Sequence, residues 1–211
     1  MDARPSPAAA ARLTLDLDAL AANWRAACAM AGGAAVAAVV KADAYGLGVA
    51  PVARRLWAEG ARQFFVAHWA EAVQLRAILP EADIAVLNGL APEDLPLALA
   101  GVAAPVLNTP AEVARWAAAA PGRRAHLMVD TGMNRLGLAP GALAGLPADL
   151  APDLLMSHLA CACEPASPLN AQQRAAFAAL PALGRARSLA ASHGLRLGVD
   201  YAFDHVRPGL A

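Results

Sequence analysis

The sequence predicts a parallel α/β barrel, and two patterns in its 211 residues support that prediction. Eight short apolar runs alternate with longer alanine- and leucine-rich stretches, and most of the runs are apolar throughout, as parallel strands buried on both faces are. Eight strands with interleaved helices favour a closed (β/α)8 barrel, although periodicity alone leaves a doubly wound open sheet possible. Because the chain stops just after the eighth strand, we expect an incomplete barrel without its last helix.

The elements follow one another in a regular order. The alternating segment Arg12–Leu17 predicts a separate strand before the barrel, and Asp18 is a suitable cap for a helix over Ala19–Met30. The barrel strands are predicted at Val36–Val40, Phe64–Ala67, Ile84–Leu87, Pro105–Leu107, His126–Val129, Leu154–Ser157, Leu189–Ala191 and His205–Arg207. Helices are predicted between them at Pro51–Glu59, Ala70–Ile78, Pro110–Ala119 and Asn170–Arg187. Thr109 suits an N-cap, because Pro110 then takes the first helical position.

Composition and charge exclude several classes of protein. Hydrophobic residues make up 58% and charged residues 16% of the chain, so a largely disordered chain is excluded. We expect disorder only in the Pro/Ala-rich extension of residues 1–11, followed by one barrel domain over residues 12–211. Basic and acidic residues number 17 each, and this neutral balance argues against nucleic acid or an anionic membrane as a partner.

Neither a membrane segment nor an export signal is evident. The longest early uncharged run, Ala26–Val40, contains two glycines and is shorter than the ~20 apolar residues that a spanning helix needs. The N-terminus has no apolar core followed by a cleavage site. Three cysteines, Cys28, Cys161 and Cys163, do not suggest a disulfide framework, so a reducing cytoplasmic setting is expected. Cys161 and Cys163 lack the further ligands that zinc needs, and we expect no metal site.

The most informative polar residue is Lys41, in the segment Ala38-Val-Val-Lys-Ala-Asp-Ala-Tyr-Gly-Leu-Gly48. A lysine directly after a buried strand lies at the end of a barrel where active sites occur. Its amine can form a Schiff base with an aldehyde cofactor. On position alone, a surface lysine at the end of a strand is the more common interpretation.

Three further segments place polar residues after predicted strands. Arg135 lies in Val129-Asp-Thr-Gly-Met-Asn-Arg-Leu-Gly137, where a solvated side chain is the simpler interpretation. His158 follows the sixth strand, where a lone histidine is more often structural. Arg207 precedes Pro208, which stops the strand, and Gly209, which permits close backbone approach.

These four segments, in this order, resemble the motifs of alanine racemases over nearly the whole chain. The resemblance implies that Lys41 carries pyridoxal 5'-phosphate as an internal aldimine and that Tyr45 contacts its phosphate. It also implies that Arg135 lies near the cofactor's phenolic oxygen and the substrate carboxylate, with His158 beside the ring. Arg207 is then expected to face the pyridine nitrogen.

The same resemblance assigns the phosphate to Ser192 and to the backbone N–H groups of Gly209 and Leu210. The chain departs from the family at two positions. Ala191 stands where the family usually has an asparagine that contacts the phosphate. Met128 aligns with a lysine that in part of the family carries a carbamate supporting the arginine, so Arg135 must be braced in another way, such as by an anion.

The implied activity is the interconversion of L- and D-alanine, which supplies D-alanine for peptidoglycan. Members of the family continue into a C-terminal β-domain that donates a catalytic tyrosine to the partner subunit of a homodimer. We therefore expect the 211-residue chain to racemise alanine poorly or not at all on its own. A non-catalytic pyridoxal-phosphate carrier of similar length is the alternative, and a barrel decarboxylase is a weaker one.

Overall fold

A computed structural model describes residues 13–150, 152–181, 183 and 186–209 of the chain. The predicted disordered extension, residues 1–11, lies outside the described residues. The helices are α1 (Leu17–Met30), α2 (Lys41–Tyr45), α3 (Val49–Ala58), α4 (Trp69–Ile78), α5 (Leu95–Leu99), α6 (Pro110–Ala119), α7 (Pro168–Ala178) and α8 (Ser192–Leu195). The strands are β1 (Ala35–Val36), β2 (Ala38–Val39), β3 (Gln63–Val66), β4 (Asp83–Val86), β5 (Ala104–Leu107), β6 (His126–Met128), β7 (Leu154–Met156), β8 (Ala186–Ala191) and β9 (His205–Arg207).

The strands form one parallel sheet that closes into a barrel, as predicted. Its order is β1-β9-β8-β7-β6-β5-β4-β3-β2, and β1 and β2 are consecutive pieces of the single predicted strand Val36–Val40. The split at Ala37 arises because β1 pairs with β9 while β2 pairs with β3. One strand thus contacts both ends of the sheet, and all eight predicted strand positions are confirmed.

Two layers of apolar side chains fix the barrel. Alternate residues of each strand point inward or outward. The inward set packs inside the barrel and comprises Ala37, Phe65, Ala85, Val106, Met128, Leu154 and Met156. The outward set, which includes Phe64, Ile84 and Leu155, packs against the surrounding helices. The inner layer fills the barrel below the carboxyl ends of the strands. A cavity remains above this layer, at the carboxyl ends.

The predicted strand Arg12–Leu17 is wrong for the part that is described. Residues 13–16 have no strand structure, and Leu17 already begins α1. The Asp16 carboxylate accepts from the N–H groups of Asp18 and Ala19 at 2.9 Å, so Asp16, not Asp18, caps this helix. A strand here would also have no free edge to join, because the barrel is closed.

The last predicted helix is also corrected. The prediction extended it over Asn170–Arg187, whereas α7 ends at Ala178 and Arg187 lies in β8. Pro181 cannot continue a helix because its nitrogen has no hydrogen to donate. By contrast α6 has the predicted bounds, and Thr109 caps it by accepting from the Glu112 N–H at 3.2 Å.

None of the helices within the described residues has both the length and the apolar character that are required to cross a bilayer.

Candidate active site

A cavity of about 470 Å³ lies at the carboxyl ends of the strands. It brings together every site residue named from the sequence that the structure describes: Lys41, Tyr45, Arg135, His158, Ser192, Arg207 and Gly209. The remaining one, Leu210, lies outside the described residues. These residues come from five separate strand ends and meet only because the sheet closes.

Lys41 and Tyr45 are the two ends of a left-handed helical turn. Residues 42–45 all have φ between 52° and 57°, and the Gly46 N–H donates to the Ala42 carbonyl at 2.9 Å. A left-handed turn costs about 1–2 kcal/mol per L-residue, so it persists only where its surroundings hold it. This geometry brings the lysine and the tyrosine to the wall of the same cavity.

Two carboxylates hold this turn in place. Glu71, in the first turn of α4, accepts from the Ala42 N–H at 2.6 Å, and its second oxygen accepts from the N–H groups of Ala67 and His68. Asp43 accepts from the Val49 N–H at 2.7 Å and so ties the turn to α3. The strained backbone next to Lys41 is therefore fixed from both sides.

Tyr45, Ser192 and Gly209 meet at one corner of the cavity. The Gly209 N–H donates to Ser192 Oγ at 2.9 Å, and a methyl group added at Gly209 would overlap Tyr45 Oη. Ser192 is buried and begins α8. Because its oxygen accepts from Gly209, the hydroxyl hydrogen of Ser192 is left for another acceptor. We call this group of residues the anion corner, because its hydroxyl donors are suited to an anion.

Arg207 is a buried cation inside the barrel. Its guanidinium donates to Ser188 Oγ and, at 2.6 Å, to the Ser157 carbonyl. Among the described residues no carboxylate pairs with it. Burial lowers the pKa of Arg207 to about 10, so the side chain still carries its charge at neutral pH. The Ser188 hydroxyl in turn donates to the His205 carbonyl at 2.7 Å, which completes a short chain of hydrogen bonds.

His158 is held as a neutral imidazole. Burial lowers its pKa to about 3, and the positive charges of Arg207, Arg135 and Lys41 act in the same direction. No hydrogen bond joins its ring to Arg207 within the described residues. Its electrostatic role in the cavity is therefore that of a dipole and not of a charge.

Gln173 positions the backbone around His158, although nothing in the sequence marks it as functional. Its fully buried amide donates to the His158 carbonyl at 3.0 Å and accepts from the Ala160 N–H at 2.8 Å. A methyl group added at Gly132 would lie 3.5 Å from Gln173 Cγ. One side chain of α7 thus bonds the His158 loop and lies near Gly132 of the loop that carries Arg135.

The loop of residues 130–138 presents Arg135 at the mouth of the cavity. The Asp130 carboxylate accepts from the N–H groups of Gly132, Met133 and Asn134 at 2.9–3.1 Å. Partial burial alone would raise the pKa of Asp130, but these three hydrogen bonds lower it below the usual range. The Arg135 side chain is exposed, and in the described part of the chain no carboxylate pairs with it.

The two departures noted in the sequence lie on the cavity wall. Met128 is buried in the inward layer, lines the cavity and has no group that could bond Arg135. Ala191 lines the cavity without a polar side chain, beside Ser192 and the exposed His193. Cys161 and Cys163 are free thiols after His158 and do not line the cavity.

Comparisons of the sequence and of the fold with known proteins lead to a single family. The family model described as alanine racemase, N-terminal domain, matches residues 15–211. An alanine racemase of Methylobacterium nodulans is 50% identical over 95% of this chain and 57% of its own length. An alanine racemase of Rhizobium meliloti is 46% identical over 96% of this chain and 56% of its own length. The chain therefore spans less than three fifths of these relatives.

Solved structures show the same relationship. A crystal structure of alanine racemase from Bartonella henselae with covalently bound pyridoxal phosphate has a TM-score of 0.86 and 35% identity. The match covers 93% of this chain and 61% of that one. The biosynthetic alanine racemase from Pseudomonas aeruginosa has a TM-score of 0.84 and 33% identity, over 92% of this chain and 57% of that one.

Proposed function

Because the chain belongs to the family of alanine racemase N-terminal domains, we propose that it is the cofactor-binding barrel of an enzyme that interconverts L- and D-alanine. The observation that carries the proposal is the convergence of Lys41, Arg135, His158 and Arg207 on one cavity at the carboxyl ends of the strands. This is the end of a (β/α)8 barrel at which catalytic residues occur.

The donor set of the cavity fits pyridoxal 5'-phosphate, the group covalently bound in the Bartonella relative. Lys41 provides an amine, Tyr45 and Ser192 provide hydroxyl groups for a phosphate, and buried Arg207 faces no carboxylate in the described part of the chain. When bound, pyridoxal phosphate supplies an aldehyde for linkage to an amine and a conjugated ring that makes the α-hydrogen of an amino acid acidic.

Each polar side chain then has a separate task. We assign to Lys41 the attachment of the cofactor and the transfer of the α-proton of D-alanine. Exposed Arg135 orients the substrate carboxylate, for which its planar guanidinium is suited. His158, neutral above pH values near 3, contributes no charge beside the ring.

Arg207 sets the electrostatics of the ring. Its charge, retained at neutral pH, would disfavour protonation of a ring nitrogen placed opposite it. By keeping that nitrogen unprotonated, Arg207 would limit how much electron density the ring draws from a bound amino acid, which suits racemisation better than transamination.

Racemisation needs two acid/base groups, one on each face of the α-carbon. Lys41 provides one of them. The chain has two tyrosines; Tyr45 lies at the anion corner, and Tyr201 does not line the cavity. We propose that the second group is a tyrosine in the part of the complete enzyme beyond these 211 residues, supplied by the partner subunit of a homodimer.

The first test is the absorbance spectrum of the chain with pyridoxal phosphate, beside Lys41→Ala. Lys41 is the only lysine of the chain, so the N-terminal amine is the sole competing amine. We expect a borohydride-reducible band in the wild type and its loss in the variant, with the reduced adduct on Lys41 in a peptide digest. A band that persists in Lys41→Ala would refute the assignment.

The second test separates the two proton transfers. In deuterium oxide we expect the loaded chain to exchange the α-hydrogen of D-alanine faster than that of L-alanine, because Lys41 serves one face. Conversion of one enantiomer into the other should stay far slower than this exchange. Racemisation at the rate of the exchange would show that the 211 residues already contain both groups.

A further inference from the structure

The anion corner of the cavity is built from neutral donors. Tyr45 and Ser192 offer hydroxyl groups, and the Gly209 N–H is already bonded to Ser192 Oγ. A phosphate monoester carries nearly two negative charges at neutral pH. Moving such an anion into a partly enclosed cavity is costly unless a cation or a strong donor faces it. A basic side chain facing this corner would therefore stabilise the anion beyond what the neutral donors provide.

Five basic residues line the cavity: Lys41, Arg135, His158, His193 and Arg207. Four of them are directed to other tasks. The guanidinium of Arg207 is bonded to Ser188 and Ser157 inside the barrel. His158 is neutral, Lys41 is assigned to the cofactor aldehyde, and Arg135 lies on the loop held by Asp130. His193 alone remains without a role.

The position of His193 matches the need of the corner. It follows Ser192 directly on α8, lines the cavity and is exposed at its edge. No other group in the described part of the chain forms a hydrogen bond or ion pair with its imidazole. It is two residues from Ala191, which also lines the cavity and whose methyl group offers no donor.

We propose that His193 is a ligand of the cofactor phosphate and that it makes this cavity prefer pyridoxal phosphate over unphosphorylated pyridoxal. Its imidazole donates to a phosphate oxygen beside the hydroxyl groups of Ser192 and Tyr45. This inference rests on the proposed function, because it requires the cofactor to bind through Lys41. It assigns to His193 a contact in binding and no part in proton transfer.

The test compares two probes, pyridoxal phosphate and pyridoxal, that differ only in the phosphate. Each is titrated into the 211-residue chain in phosphate-free buffer, and the dissociation constant is taken from the borohydride-reducible absorbance band. His193→Ala should weaken pyridoxal phosphate about tenfold, as expected for a lost hydrogen bond to a charged group, and leave pyridoxal unchanged. His193→Arg, which keeps a basic N–H donor without adding a second lysine to the cavity, should retain most of the preference.

Arg196→Ala is the matched control. Arg196 is also an exposed basic residue next to α8, and it lines a groove beside α1 that shares Tyr45, Ser192 and Gly209 with the cavity, but it does not line the cavity itself. Its loss should leave both dissociation constants within about twofold, and circular dichroism should show all variants folded. An equal effect of Arg196→Ala would mean that general electrostatic attraction accounts for the preference.

The outcomes separate the two proposals. If the wild type shows the Lys41-dependent band but His193→Ala binds both probes as the wild type does, the role of His193 is refuted and the proposed function stands. Equal weakening of both probes refutes it as well, because the phosphate is then not the group contacted. Absence of the Lys41-dependent band in the wild type overturns both.

Discussion

Replacement of Gln173 by leucine tests whether a single buried amide positions the His158 loop. The substitution keeps the approximate volume of the side chain but removes the partners of the His158 carbonyl and the Ala160 N–H, at 3.0 and 2.8 Å. A buried polar group without a partner costs roughly 1–3 kcal/mol, and the added apolar contact offsets part of that. We expect the free energy of unfolding to fall by about 3 kcal/mol.

Asn170→Leu is the control for this substitution. Asn170 lies on the same helix and is also buried, but its amide makes only one bond, to the Glu164 carbonyl at 2.9 Å. Its side-chain oxygen has no partner within the described residues, so only one bond is lost. We expect a loss of about 1 kcal/mol.

Urea denaturation followed by circular dichroism gives the free energy of unfolding of both variants. For a domain of this size, about 3 kcal/mol corresponds to a decrease in Tm of roughly 6–12 °C. Gln173→Leu should also weaken pyridoxal phosphate binding more than Asn170→Leu does, because it alone releases the loop of His158. A Gln173→Leu variant as stable as the wild type, or no more damaging than Asn170→Leu, would refute the role of this amide.

Three further predictions follow from the described contacts. Burial, followed by the charge of Arg124, lowers the pKa of His126 to about 4, so the unfolded chain binds an extra proton at this residue below pH ~6.5. His126 alone should therefore remove roughly 3 kcal/mol of stability between pH ~6.5 and pH ~4, and acid titration of His126→Phe should show a loss smaller by that amount. Gly137→Ala should lower the free energy of unfolding in urea by roughly 1–3 kcal/mol, because φ is +114° and the added Cβ would lie 2.8 Å from the Asp130 nitrogen. In the control Gly141→Ala the added Cβ meets no atom within 4 Å, so this variant should be as stable as the wild type. Glu71→Ala should weaken pyridoxal phosphate binding beyond its effect on Tm, whereas Glu112→Ala, which removes a similar helix cap without a bond to α2, should change Tm alone.

The strands could be predicted from the sequence because they are buried on both faces and therefore apolar throughout. The family indicated by the Lys41 and Arg135 segments is confirmed, and the relatives favour the racemase family over the non-catalytic carrier. The strand predicted before the barrel was wrong. The alternation of Leu13, Leu15 and Leu17 indicated a strand, but the closed barrel leaves no edge for one.

The supporting residues were missed for a physical reason. Glu71 and Gln173 act on backbone groups that are distant in sequence, Ala42 and Ala160, and such pairing depends on how elements pack. No periodicity or spacing signals it. The left-handed turn of residues 42–45 was missed as well, because alanine and tyrosine normally avoid positive φ and adopt it here only under external hydrogen bonds.

The choice of arginine at position 207 follows from where the barrel places it. A buried lysine readily loses its proton, since burial disfavours the charged form and its ordinary pKa leaves a margin of only a few units at neutral pH. The guanidinium begins higher, and with its pKa lowered by burial to about 10 it is still charged. Its planar geometry also allows two hydrogen bonds at once, to Ser188 Oγ and to the Ser157 carbonyl. These bonds fix the position of the charged group inside the barrel. Arg207→Lys should therefore keep the fold but lose the fixed charge, and the absorbance of the bound cofactor should become dependent on pH within the neutral range.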